Sequence, residues 1–431
     1  MSYARSYARS YARSYASRSV STAAVESGVS ALSASAYAWM LMITVTGALE
    51  AGLLLLDISP VLPLVRQHYG ATYVAAGWAI SVTVISHTVT IVLAGFVVGR
   101  ASPRAVLSFG IAFLLVSSVM RAWAPSFPVL IASRVVTGVG TGSIIIGGIT
   151  AITLLSPPNR RVRDQGYFGA AQQLGIMVTY LVAPVFVHAY GIPSYWWLLA
   201  AELGLVLAFC MLCYPRVRPH GTANAARARP LALVGDGYGW LLSLANMAGY
   251  SVFVGVTAWM ASFLVARYHT SPAQTALLAS IATFFAVIGR LAASPLTRLM
   301  SKRLLIGGFM AFTAGSLAIA PLAPDQQIAA LFFLLFAFGS SAPFGAIFGA
   351  VADRPAPAGV ARRIVLITVN SNIAAVLLPL LIGYSVSLTH DFNSGFWLIA
   401  TLTGLAAAVV LRSSLGHGPR TDGEPGISAA K

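Results

Sequence analysis

The chain has 431 residues, 58 % of them hydrophobic and only 9 % charged, with a formal net charge of +16. A soluble globular protein carries roughly 45–50 % apolar and about 25 % charged residues, so composition excludes a water-soluble domain. The basic excess does not make a nucleic-acid surface either, because the Lys and Arg residues lie in short gaps between apolar runs instead of clustering on one face.

Those apolar runs set the architecture. A helix rises about 1.5 Å per residue, so about twenty apolar residues cross the ~30 Å hydrocarbon layer. The chain opens with a tail, residues 1–36, in which Ser-Tyr-Ala-Arg repeats from Ser2 to Arg13; it lacks the apolar stretch of a secretion signal and is expected to be a disordered cytoplasmic tail. Hydropathy then predicts helices over 38–62, 76–99, 104–123, 127–151, 166–187 and 195–214. A polar connector over 215–238 holds four arginines with several Gly and Pro, and six more helices follow over 239–265, 273–296, 304–322, 327–351, 364–388 and 394–412, before a short tail over 413–431. The expected fold is an all-α integral membrane protein of about twelve transmembrane helices in two six-helix halves, 37–214 and 239–412.

Charges inside a bilayer cost at least ~2.5–3.5 kcal/mol each at a helix centre, so each needs a partner, water or a task. Of eleven acidic residues only Glu50, Asp57 and Glu202 fall within predicted spans. Glu50 and Asp57, seven apart on span one, are expected to stack on one helix face about 10 Å apart as a proton ladder. Counted at 1.5 Å per residue, Asp57, Arg134 of span four and Glu202 of span six each lie about 8–10 Å below the same surface. They are expected to meet, so that relative movement of spans one and four switches a proton on and off Asp57. His87, the only histidine inside a span, suits proton traffic because imidazole titrates near neutrality. Arg290, near one end of span eight, is expected to snorkel to water as a structural cation.

Neutral polar residues are expected to form a substrate wall. Gln172 and Gln173 lie in span five, Asn246 and Tyr250 share a face of span seven, and Asn370 and Asn372 lie in span eleven. Cys210 and Cys213 have no companions for a metal, and no phosphate-cradling loop or hydrolase motif is present. The chain is therefore expected to need no metal or cofactor and not to be an enzyme. Orientation follows from the basic residues. With Met1 cytoplasmic, 22 of the 27 Lys and Arg lie inside, only Arg66, Arg121 and Arg267 lie outside, and two stay within spans, so both termini are expected in the cytoplasm, at the cell (inner) membrane.

The halves resemble each other. A shift of 199 residues lays Ser102, Arg104, Val106, Leu107, Ala112 and Phe113 over Ser301, Arg303, Leu305, Ile306, Ala311 and Phe312, and Gln172 and Gln173 over Ser371 and Asn372. Six plus six spans, a basic connector and the loop from Gly95 to Arg104 resemble the major facilitator superfamily from about Tyr37 to Arg412. In the loop after span two, Gly95, Arg100 and Arg104 match the family signature, while Gly99 stands where an aspartate is usual. The resemblance implies that this loop helps latch one conformation, and that Arg134, followed by Gly138, Gly140 and Gly142, serves proton coupling. It also implies that spans one, four, seven and ten line the cavity. The Gly-Pro pair of many drug exporters is absent from span five.

The leading expectation is a secondary transporter that alternates access by rocking its halves, driven by protons through Glu50, Asp57, Arg134 and His87. Its expected partners are a small molecule, protons and membrane lipid, with no nucleic acid, and the chain is expected to act as a monomer. The alternatives are a symporter or facilitator for a small organic anion using Arg134 and His87, and a transporter-like sensor or scaffold.

Overall fold

The protein is described from a computed structural model, which covers residues 32–71, 73–97, 101–217, 235–354, 356, 359–413 and 415. The amino-terminal repeat, most of the connector, Arg100 and nearly all of the carboxy tail lie outside these residues. Among the described residues the ordered elements are helices, with no strand. Span one is Ala34–Leu55, span two Tyr73–Val97, span three Pro103–Ala122, span four Phe127–Leu155, span five Arg161–Tyr190 and span six Ile192–Cys213. In the second half, span seven runs from Gly237–Asn246 through a π-helical turn, Met247–Ser251, into Val252–Tyr268, and span eight is Pro272–Leu296. Span nine is Lys302–Ile319, span ten is Gln326–Ser341 with a second piece Phe344–Gly349, span eleven is Val360–Thr389 and span twelve Phe392–Arg412. Eleven of the described helical stretches are long and apolar enough to cross a membrane; in span two the apolar stretch is Ser81–Gly95.

The halves repeat one another in detail. Ser102 caps span three by accepting from the Ala105 amide at 3.2 Å, and Ser301, 199 residues on, caps span nine through the Leu304 amide at 3.3 Å. Each cap satisfies an amide that the first helical turn leaves free.

Span one ends earlier than hydropathy predicts. The α-helix stops at Leu55, and the chain turns through a short 3-10 segment, Ser59–Val61, into a helix Leu62–Tyr69. Pro60 lacks the N–H that would bond the carbonyl four residues back, so the α-helix cannot continue. The expected ladder is thereby broken: Asp57 sits beyond the helix, in the turn, and shares no helix face with Glu50.

Glycine permits close approach where spans one and five cross. A Cβ on Gly175 would fall 2.7 Å from the Leu53 backbone nitrogen, and one on Gly52 would collide with the Gln172 carbonyl. Span four uses its glycines on two sides: Gly138 and Gly142 lie against the backbone of span two, and Gly140 lies against Gly110 and Leu114 of span three.

Apolar packing defines two ends of the molecule. On the side where span one begins and span twelve ends, one continuous cluster runs through both halves, from Met40 and Ile152 to Ile364 and Val410. On the opposite side each half keeps its own cluster, Ile58 to Leu199 in the first and Val252 to Ala400 in the second. The halves are sealed together on the terminal side and packed separately on the other.

Candidate functional site

Along the seam the two halves touch through specific residues. Gly345 and Gly349 of span ten's second piece lie against Val162 of span five, and a Cβ at Gly345 would sit 2.7 Å from the Val162 carbonyl oxygen. Gly95 of span two lies against Val365 of span eleven. Asn372 reaches from span eleven to Thr88 of span two at 3.1 Å. All of these residues lie toward the terminal side of their spans.

Where the seam ends, a narrow crevice opens, walled by Asn246, Gly249, Tyr250 and Phe253 of span seven, Arg290 of span eight, and Ser340, Ser341 and Phe344 of span ten. Two of these walls are interrupted helices. The π-turn of span seven shifts the register around Gly249 and Tyr250, and Pro343 separates the two pieces of span ten. Such breaks free backbone groups beside a cavity and commonly mark a site.

Arg290 is the charge of this crevice, and the expectation that it snorkels to water is corrected. Its residue is 2 % exposed. The guanidinium donates to the Gly169 carbonyl and, at 3.4 Å, to Gln172 Oε1, both on span five across the seam. It also stacks on Phe344 with 4.3 Å to the ring centroid. Its Nε–H has no hydrogen-bond acceptor, and no carboxylate pairs with it among the described residues. Snorkelling fails because the neighbouring half covers the position, a fact of assembly that hydropathy does not carry. Gly169 makes room for it; a Cβ there would meet Phe344 and the Arg290 side chain.

Of the residues expected to form a substrate wall, Asn246 and Tyr250 line the crevice and Gln172 reaches it through Arg290. Asn246 is held by a 2.7 Å bond to Ser371. Gln173 is buried, one helical step of about 100° away. Asn370 bonds Ser243 within the second half at 2.9 Å, and Asn372 belongs to the seam.

The second constellation lies in the first half. Asp57 is fully buried and bridges two arginines: Oδ1 accepts from Arg134 at 2.6 Å and Oδ2 from Arg121. Arg134 also donates to the carbonyls of Leu54 at 3.1 Å, Leu55 at 2.9 Å and Ala79 at 3.0 Å, closing the frayed end of span one. Arg121, read from sequence as an outer-loop residue, is instead 1 % exposed in span three, bonded to Ser117 and Ser118 and 5.6 Å from the Trp196 ring. Two guanidinium groups on one carboxylate leave this cluster one positive charge in excess.

Glu202 does not join it. Its carboxyl faces Glu50 across the contact of spans one and six, which corrects the expected Asp57–Arg134–Glu202 cluster. Turning past Leu55 carries Asp57 away from the face that Glu50 presents. His87 lies between spans two and four with Nδ1 2.9 Å from Thr141 Oγ1, bonded to neither carboxylate. Arg104 donates to the Met211 carbonyl at the end of span six, within its own half, while Gly95 packs across the seam. Arg100 lies outside the described residues.

Comparison with known proteins gives three results. A family profile described as Major Facilitator Superfamily matches residues 39–361. Among curated proteins, the chain is 24 % identical over 400 residues to a probable L-galactonate transporter of Escherichia coli, covering 83 % of this chain and 85 % of that one. It is 24 % identical over 386 residues to a probable sulfoacetate transporter of Cupriavidus necator, covering 82 % and 88 %. Among solved structures, the fucose:proton symporter of Escherichia coli superposes with a TM-score of 0.73 at 12 % identity, over 88 % of this chain and 99 % of that one.

Proposed function

The chain belongs to the major facilitator superfamily, a family of membrane transporters of small molecules, and from that membership we propose that it carries a small organic anion by proton-coupled alternating access. The observation that carries the reading is Arg290: a buried guanidinium at the seam of the halves that, among the described residues, has an unpaired Nε–H and no carboxylate partner. A buried cation without a counter-charge is costly, and an entering carboxylate or sulfonate would supply that charge with charge-assisted hydrogen bonds. Tyr250, Asn246 and Ser340 stand beside it to accept or donate to the rest of a polar solute. Galactonate and sulfoacetate, for which the two relatives are named, are both small organic anions. Arg290 thereby takes the role that sequence reasoning gave to Arg134 in the anion alternative.

Arg290 also helps hold the seam, through Gly169 and Gln172 of the opposite half. An anion drawing the guanidinium toward itself would weaken those ties, linking occupancy to the rocking of the halves. The count of basic residues assigns the sealed side to the cytoplasm, and on that assignment the conformation here is outward-facing and both termini are cytoplasmic. Proton coupling is assigned to the first half, to Glu50, Asp57 and Arg134, with His87 as a flanking group. A single chain suffices for this cycle, since both halves lie within it.

The test is uptake of radiolabelled L-galactonate and of sulfoacetate into proteoliposomes with and without an imposed pH gradient. Uptake accelerated by the gradient and abolished by Arg290→Gln is expected. Flux of either anion unaffected by Arg290→Gln would remove the basis of the anion reading, and flux indifferent to the gradient in wild type and Glu50→Gln alike would remove the coupling.

A further inference from the structure

Glu50 is fully buried in span one, and neither of its carboxyl oxygens receives a hydrogen bond among the described residues. An ionised carboxylate in that position loses its hydration with no hydrogen bond returned. The charged group that acts on it is another acid, Glu202 of span six, whose carboxyl lies within hydrogen-bonding reach.

The elements packed on span one bring other titratable groups, and these are turned elsewhere. Arg121 and Arg134 are spent on Asp57. Asp164 bonds Tyr37 and Arg163, Cys210 faces Ser108, Tyr180 faces Ser59 and Tyr195 faces Thr179. Among the described residues no cation pairs with Glu50, so two ionised carboxylates here would form a doubly negative site with no counter-charge among them. A single proton resolves this: one carboxyl becomes a donor and the other an acceptor, and the orphaned oxygens of Glu50 gain a bond.

We infer that Glu50 and Glu202 form a shared proton-binding site at the contact of spans one and six, separate from both the Asp57 cluster and the Arg290 crevice. Glu50 is enclosed, whereas Glu202, midway along span six, is partly exposed on the surface of the first half. Both carboxyls belong to the same half, and a rigid rocking motion leaves the pair intact. Coupling through Glu50 therefore requires span one to move against span six, which opens the pair and lets the proton leave. The inference deepens the coupling reading by giving Glu50 a partner, but the occupancy of the site stands apart from transport.

Infrared spectroscopy of the purified full-length protein in lipid, at neutral pH in H2O and D2O, tests it. A protonated carboxylic acid C=O band is expected in the wild type, lost in Glu50→Gln, and displaced in frequency in Glu202→Gln, which keeps a hydrogen-bonding group of the same shape. The Glu202→Gln arm reads the pair even where Glu50→Gln fails to fold. Absence of the band, or a band that Glu202→Gln leaves unmoved, overturns the inference. A band that appears only on removal of sodium also overturns it, in favour of a monovalent cation. The spectrum is recorded without substrate or gradient, so loss of coupled flux with the band retained refutes the coupling and leaves the pair standing.

Discussion

Tyr69 and Tyr268, 199 residues apart, make the same bond: each phenol donates to the carbonyl of an alanine 55 positions further along, Ala124 at 3.0 Å and Ala323 at 2.8 Å. The duplication has kept these packing devices but not the charges of the two constellations within the spans. Advancing Glu50, Asp57, His87 and Arg134 by the same interval lands on Gly249, Val256, Ala286 and Phe333, and stepping back from Arg290 lands on Ile91. Of these groups, Glu50 and Asp57 sit in one half and the crevice cation in the other.

The tyrosine bonds make a stability prediction. Tyr69→Phe and Tyr268→Phe should each cost about 1 kcal/mol, the net worth of a hydrogen bond whose acceptor is left behind. Burial pushes the Tyr69 phenol above its ordinary value near 10. The folded-state value lies above the unfolded one, so the stabilisation is complete below about pH 10 and is lost as pH rises through the folded value. Thermal unfolding of wild type and Tyr69→Phe should therefore differ at pH 8 and converge only at strongly alkaline pH.

Arg290→Lys keeps the charge and loses the planar fork, so it should bind the anion more weakly than wild type but better than Arg290→Gln. Removing one partner of a buried charge pair costs about 2–5 kcal/mol, which is at least about 30-fold in affinity for the Gln variant. Isothermal titration with L-galactonate and with sulfoacetate measures it, and equal affinities for the three proteins would contradict the assignment.

Asp57→Asn leaves Arg121 and Arg134 buried together without a counter-charge and should cost about 3–5 kcal/mol. Arg121→Met added to that variant should recover part of the loss, because it removes one of the two orphaned cations. Denaturation in detergent, followed as a double-mutant cycle, decides the matter. Additive effects would mean that the two residues do not share an interaction.

At the seam, Gly345→Val places a branched side chain where a Cβ already falls 2.7 Å from the Val162 carbonyl. The sealed side should be pried apart and the population shifted toward the opposite-facing state. Spin-label distances across the terminal side should lengthen relative to wild type; an unchanged distribution would mean that the backbone yields locally instead.

Much of this was legible in the chain. The twelve spans follow from apolar length, because a helix in lipid must satisfy its backbone internally and so needs about twenty apolar residues. The duplication was visible in residues such as Arg104 and Arg303, and the Arg134 glycine run signalled the close approach of spans two and three that Gly138, Gly140 and Gly142 permit. Asp57 and Arg134 were matched by depth alone, and they do meet.

Arg290 and Arg121 were misread for one reason. Distance to a helix end can be counted in sequence, whereas burial of that end by another helix cannot. Glu202 was matched to Asp57 by depth, but depth fixes only one coordinate, and the azimuth that turns it to Glu50 is set by how spans one and six pack.

The sequence by itself determined the membrane habit, the span count, the repeat and the rarity of buried charge, since these depend on local hydrophobicity and period. Only the tertiary structure decided which charges share a neighbour, where the seam closes, and that Arg290 faces a crevice with no carboxylate paired to it among the described residues. Those are relations between helices far apart in the chain, and electrostatic partnership at a few ångströms depends on rotation and packing that no linear pattern records.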